Sequence, residues 1–259
     1  MQVVACQLDL VWEDKAATHE RVRKLLSTAS IEPGALVILP EMFATGFSMH
    51  VDAIVEAADG PTHTFLAGLA REYRSYVLGG VVTRASDGRG HNDAVVFGPD
   101  GTLVTRYAKM HPFSYGDETR HYQAGDSIEL FDWGAFRVAP FVCYDLRFPE
   151  LFRRAVRAGA EVFVVIANWP EPREAHWLAL LAARAIENQA FVVGVNRVGS
   201  DPHLRYSGKS LVLGPRGETL AAGGTEEQLL VAEIEKAPLV EYRCQFPALA
   251  DARADLLSG

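Results

Sequence analysis

Short apolar runs alternate with amphipathic stretches along nearly the whole chain. Residues 2–8 alternate like a strand, and the segment from Lys15 to Ala29 sets His19, Val22, Leu25 and Leu26 on one stripe, which predicts a helix. "ALVILPE" is a continuously apolar strand flanked by Gly34 and stopped at Pro40. "PTHTFLAGLAREYR" is a second helix with proline near its start. "YVLGGVVT", "NDAVVFG" and "LVTRYAK" follow as three strands, the last two joined by a Pro-Asp-Gly turn. A polar, aromatic loop without periodicity then runs from Met110 to Gly125.

The alternation resumes with "FRVAPFVC" as a strand, Pro149 to Ala158 as a helix, "VFVVIAN" as a strand and Glu174 to Asn188 as a long helix. "FVVGVN" and "SLVLG" are expected to close the sheet, with "LLVAEI" after a Pro-Arg-Gly turn. "AVVFGPDGTLV" and "SLVLGPRGETL" share one pattern of strand, glycine-proline turn and strand, which hints at two similar halves. Interleaved strands and helices of this kind predict an α/β protein, with two sheets stacked face to face and covered by helices. No linker is long or polar enough to divide residues 1–259 into separate domains.

Composition narrows the class. At 49% hydrophobic residues, 259 residues can bury a large core. Cys6, Cys143 and Cys244 are an odd number without a CxxC pair, which fits a reducing compartment better than a disulfide framework. The N-terminus lacks a signal-peptide pattern, and nowhere are there 18 uninterrupted apolar residues, so a cytoplasmic protein without a membrane partner is expected. A net charge of -8 without a Lys/Arg block argues against a nucleic-acid partner. Neither metal-ligand spacing nor a dinucleotide or phosphate glycine signature occurs, so no metal or cofactor is expected.

Three strand ends deliver chemistry. Glu41 ends "ALVILPE", Lys109 ends "LVTRYAK" and Cys143 ends "FRVAPFVC" just before a proline-led helix. Glu41 and Cys143 each have a bland alternative, a loop carboxylate and a small buried hydrophobe. Taken together they suit acyl transfer through a thioester. A carboxylate can take the thiol proton and return it to the leaving group. An ammonium, with the backbone N–H of Tyr144, can hold the charge that develops on a carbonyl oxygen. Glu118, in the aromatic loop, is a weaker candidate on position alone. "IANWPEPREAHW" adds Trp169 as an aromatic wall and Arg173 as a cation for an anionic substrate, while Glu187 reads as a structural tie between its helix and the next strand.

These words resemble the carbon–nitrogen hydrolase (nitrilase) superfamily from "ACQLDLVWEDKAA" to "EYRCQFPAL". The family's catalytic glutamate matches Glu41 in "LPEMFATGF", its lysine Lys109 in "YAKMHPF", its nucleophile Cys143 in "VCYDLRFPELFR", and its further glutamate Glu118. The resemblance implies a four-layer α-β-β-α sandwich of two mixed sheets, usually paired into a homodimer. "LPEMFATGFSM", "CYDLRFPE", "ANWPEPREAHWLALLAARAIENQ" and "NRVGSDPHLRYSGKS" are most similar to its omega-amidase branch. That branch implies hydrolysis of the terminal amide of 2-oxo acids such as 2-oxoglutaramate and 2-oxosuccinamate. The substrate carboxylate then needs a cation, Arg173 first and Arg147 second, with Tyr144, Trp169, Phe47 and Phe113 as walls. Arg147 has a structural alternative, an ion pair with Asp145 or Glu150. Other small amides, nitriles or carbamoyl amines are alternative substrates, and a catalytically silent dimeric scaffold is the alternative of another class.

Overall fold

The computed structural model describes residues 1–253. In chain order the first half contains β1 (Gln2–Gln7), α1 (Lys15–Leu26), β2 (Leu36–Ile38), α2 (Val51–Ile54), α3 (Pro61–Tyr73), β3 (Tyr76–Arg84), β4 (Gly90–Phe97), β5 (Leu103–Ala108) and α4 (Glu118–His121). The second half contains β6 (Phe131–Trp133), β7 (Phe136–Val142), α5 (Pro149–Arg157), β8 (Val162–Ala167), α6 (Glu174–Asn188) and β9 (Phe191–Asn196). It continues with β10 (Val198–Ser200), β11 (Arg205–Ser207), β12 (Leu211–Leu213), β13 (Thr219–Ala222), β14 (Gln228–Glu233) and α7 (Lys236–Gln245).

Two six-stranded mixed sheets result, in the orders β14-β1-β2-β3-β4-β5 and β13-β12-β9-β8-β7-β6. Each has a parallel centre, β1-β2-β3 or β7-β8-β9, continued by an antiparallel hairpin, β4-β5 or β12-β13. On the far side of each centre lies one antiparallel strand, β14 or β6. The two glycine-proline hairpins therefore occupy equivalent places in two equivalent sheets, as the sequence similarity hints. β14 corrects the expected order: it does not extend the second sheet after β13 but pairs with β1 in the first.

Side-chain alternation on β1 shows why the sheets stack. Val3 and Ala5 pack with residues of the second sheet such as Val164 and Phe141, whereas Val4 and Cys6 pack with Val22 and Leu26 of α1 and Leu66 and Leu69 of α3. Leu151, Phe152, Trp177 and Leu181 of α5 and α6 join the core of the second sheet. Period-two strands with both faces apolar can only be satisfied between two covering layers, and the outcome is the expected α-β-β-α sandwich. Local signals set the helix limits: Asp14 accepts from the Ala17 N–H at 2.9 Å to start α1, and Pro61 opens α3. The first helix stops at Leu26, short of Ala29, with Ser27 as its C-cap.

Candidate active site

Glu41, Lys109 and Cys143 each sit just beyond a strand of the stacked pair, after β2, β5 and β7, and the structure brings all three to one end of the sandwich. Two of the exits are sharp. Cys143 has φ +48° and Met42, next to Glu41, has φ +42°, left-handed backbone that costs a residue with a Cβ about 1 kcal/mol or more. The turn at Glu41 is possible because β3 carries Gly80 beneath it. A Cβ there would lie 2.2 Å from the Met42 nitrogen and 2.6 Å from the Glu41 Cα.

Behind the cysteine is a buried ionic cluster. The Lys109 ammonium donates to Glu41 Oε1 at 2.9 Å and to the two oxygens of Glu118 at 3.1 and 2.8 Å. Asn92 on β4 donates from one amide nitrogen to both carboxylates, at 2.7 Å to Glu41 and 2.9 Å to Glu118. The backbone N–H of Asn168, just after β8, reaches Glu41 Oε2 at 2.7 Å, and its side-chain amide donates to the Glu41 carbonyl at 2.7 Å. Glu118 also accepts from the Phe113 N–H at 2.5 Å, so the aromatic loop is folded onto the cluster rather than left in solvent.

The electrostatics follow from burial. Desolvation opposes the charge on Lys109, but Glu118 and Glu41 outweigh it and hold its pKa well above the ordinary lysine value. Desolvation raises the Glu118 pKa, with Lys109 pulling it down and Glu41 pushing it up. The Cys143 thiol is pushed well above its ordinary value by burial first and Glu41 next, against the lowering pull of Lys109. In the resting site the sulfur is therefore a thiol, and its Sγ lies 4.0 Å from the Asn168 carbonyl.

A pocket opens over Cys143 and is lined by Lys109, Phe47, Phe113, Tyr144, Trp169, Arg147 and Arg173, every one a residue singled out in the sequence. Phe47 lies under the Lys109 ammonium at 5.3 Å. Arg147 stacks on Trp169 at 4.8 Å and Arg173 on Phe113 at 5.3 Å. Neither guanidinium has a carboxylate partner among the described residues. The alternative tie of Arg147 to Asp145 is not formed, because both Asp145 oxygens are taken by Tyr107, Val142 and His111. Glu41 and Glu118 lie behind the pocket wall, fully buried.

Sequence reasoning missed several participants. Asn168, Pro170, Leu204 and Tyr206 also line the pocket. The last two arrive on the β10–β11 hairpin, whose "RVGSDPHLRYS" carries no apolar run. Asn92 is hidden inside an apolar strand word, where a buried amide is itself a signal that carboxylates are near. Glu187 does not tie α6 to the next strand through its carboxylate; it pairs instead with Arg184 of its own helix at 3.0 Å. Arg184 in turn donates to the Leu146 carbonyl, in the 3₁₀ turn that begins at Cys143.

Two helix-covered sheets, with a carboxylate–ammonium–carboxylate cluster and a cysteine between their strand ends, define a hydrolase of the nitrilase-like fold. The chain belongs to the carbon–nitrogen hydrolase family, whose model matches residues 2–243. It is 38% identical over 254 residues to omega-amidase YafV of Escherichia coli K12, covering 97% of this chain and 96% of that one. It is 34% identical to 2-oxoglutaramate amidase of Bacillus subtilis, covering 85% and 86%. A CN-hydrolase superfamily protein from Xanthomonas campestris, solved with an arsenic adduct in its active site, superposes with a TM-score of 0.92 at 35% identity, covering 98% of this chain and 97% of that one.

Proposed function

We propose that the protein is an omega-amidase: it hydrolyses the terminal amide of a 2-oxo dicarboxylic acid monoamide, such as 2-oxoglutaramate or 2-oxosuccinamate, to the 2-oxo acid and ammonia. The observation that carries this reading is the pair of guanidiniums, Arg147 and Arg173, in the cysteine pocket without a carboxylate of their own among the described residues. A substrate carboxylate completes them, and the names of the relatives agree. Both guanidiniums are only half-buried and face the pocket, where they offer charge-assisted hydrogen bonds to a carboxylate, so an anionic ligand fits this pocket better than a neutral amide or nitrile.

In this mechanism Cys143 is the nucleophile. Its pKa is raised, so no standing thiolate is available and Glu41 must take the proton as sulfur attacks the amide carbon. The carbonyl oxygen gains the charge and is held by Lys109 and the Tyr144 N–H. Two of the three Lys109 contacts go to one carboxylate, Glu118, so one N–H can turn to the substrate while both carboxylates remain bonded. Glu41 returns its proton to the amide nitrogen, the C–N bond breaks and ammonia leaves a thioester on Cys143. Water, deprotonated by Glu41, then attacks the thioester, and the sulfur leaves with that proton as the 2-oxo acid is released. Glu118 keeps Lys109 in place. Arg173, with Arg147, binds the distal carboxylate, and Phe47, Phe113, Tyr144 and Trp169 form the walls. The enzyme acts as a cytoplasmic homodimer of one catalytic domain per chain, an assembly that light scattering after gel filtration tests.

Ammonia release over a panel of 2-oxo acid amides, uncharged amides, nitriles and carbamoyl amino acids tests the substrate. The two 2-oxo acid amides should be turned over with the highest kcat/KM; preference for an uncharged amide or a nitrile overturns the assignment. Mass spectrometry of the quenched reaction should find an acyl adduct on Cys143 and on neither Cys6 nor Cys244, and Cys143→Ala should be inactive.

A further inference from the structure

The cysteine turn and the lysine strand belong to different sheets, and one buried side chain joins them. Asp145 has no solvent exposure. Its Oδ2 accepts from the Val142 N–H at 3.1 Å and from the Tyr107 hydroxyl at 2.8 Å. Its Oδ1 accepts from the His111 N–H at 3.0 Å, with His111 Nδ1 also 3.0 Å away. Tyr107 and His111 flank Lys109 two residues to either side, and Val142 and Asp145 bracket Cys143. Donors from both segments therefore converge on one carboxylate, which ties the cysteine turn to the lysine strand rather than capping either alone.

We propose that Asp145 is a positioning residue that sets the cysteine turn against the lysine strand, so that the sulfur and the ammonium keep the spacing that acylation needs. This rests on the reading of Cys143 as nucleophile and Lys109 as oxyanion donor. Cys143 holds its left-handed backbone only while its surroundings over-determine it, and the Asp145 bond to Val142 closes the turn from one side. The bonds to Tyr107 and His111 fix the other sheet to the same carboxylate. Burial and the neighbouring Asp145 push the Tyr107 pKa well above the ordinary phenol value, so its hydroxyl stays a donor. An amide cannot replace this carboxylate. Whichever Asp145 oxygen became NH2 in Asp145→Asn, it would face a backbone N–H, that of Val142 or that of His111.

The experiment measures kcat, KM and the single-turnover rate of ammonia release for Asp145→Asn and Tyr107→Phe, with melting temperatures beside them. Displacement of reacting groups by about an ångström costs on the order of 100-fold in rate. Asp145→Asn should therefore lose about 100-fold in kcat and in the acylation rate, with KM within about threefold of wild type, because the carboxylate-binding guanidiniums are untouched. Tyr107→Phe removes one hydroxyl from the same carboxylate and should lose roughly three- to tenfold in kcat while keeping its fold. If Asp145→Asn does not fold, Tyr107→Phe decides. An unchanged kcat in Tyr107→Phe, a loss under threefold in Asp145→Asn, or a KM rise that matches the kcat loss each overturns the proposal. Full turnover by Cys143→Ala would instead remove the nucleophile reading, whatever Asp145→Asn does.

Discussion

At Lys109 a charged ammonium has 1% of its side chain exposed, and three oxygen contacts from Glu41 and Glu118 hold the charge there. Lys109→Ala removes the cation and leaves two buried carboxylates facing each other through Asn92. It should lower kcat by about 100-fold or more and cost about 3–5 kcal/mol in stability. Lys109→Arg keeps the charge but substitutes a planar fork for a compact ammonium, so it should also be slow. Steady-state kinetics with denaturant unfolding checks both, and near-wild-type kcat in Lys109→Arg would contradict the role given to the ammonium. Arg173 differs in kind, because the proposed mechanism sets it at the far end of the substrate. Arg173→Ala should raise KM for 2-oxoglutaramate roughly tenfold to hundredfold, since a charge-assisted bond is worth about 1.5–3 kcal/mol. KM for an uncharged amide of similar length should hardly move. Equal shifts for the two substrates would take Arg173 out of the carboxylate site.

In the proposed mechanism the strand ends carry the chemistry, so an element's position matters as much as its side chains. Gly80 of β3 illustrates this: its N–H donates to the Pro40 carbonyl at 3.1 Å, drawing the segment before Glu41 onto the strand, and no side chain fits between. Gly80→Ala would press a Cβ on backbone atoms that cannot rotate away. Kinetics and thermal melting should show a loss of about 1–3 kcal/mol in stability together with more than a tenfold loss in kcat, as Glu41 is pushed off Asn168 and Lys109. Unchanged kinetics in Gly80→Ala would mean that the close approach is not what places Glu41. In the sequence, Glu41 and Cys143 were legible because each terminates a strong apolar run, and Lys109 because it ends a strand word just before an aromatic loop, all local signals. The two central strand triplets and the long helices α3 and α6 were legible for the same reason. What stayed hidden is non-local or weakly apolar. β13 is mostly exposed, α7 buries only Leu239, and β10 and β11 are three residues each. The partner of β14 could not be read, because an alternating strand does not state which sheet edge will receive it. The sequence offers Asp145 only as a partner for Arg147, since its real partners lie up to 38 residues away.

Across the whole molecule the two sheet units are alike, but the helical layer over the first one holds acid-sensitive groups. Burial would raise the pKa of Glu56, yet the nearby His63 ring, the Lys15 ammonium and the two Thr62 hydrogen bonds outweigh it and pull it down to about 2. Through its contacts with Lys15 and Thr62, Glu56, which follows α2, ties α1 to the start of α3. Its stabilising contribution is complete above the ordinary carboxylate value of 4.5 and is lost as the pH falls toward 2. His19 on α1 acts at higher pH. It stacks on Phe65 with ring centroids 4.0 Å apart, its Nε2 is buried without a partner among the described residues, and burial lowers its pKa from 6.5 to about 4. Between those values the unfolded chain binds a proton that the folded chain does not, so stability falls as the pH drops from 6.5 to 4. His19→Phe keeps an aromatic ring on Phe65 and removes both the orphaned nitrogen and its titration. Urea midpoints at pH 7 and pH 5 should therefore differ less in His19→Phe than in wild type, with the pH 7 midpoint equal or higher. A pH dependence between 7 and 5 unchanged by this substitution would show that His19 does not drive the acid lability of the helical layer.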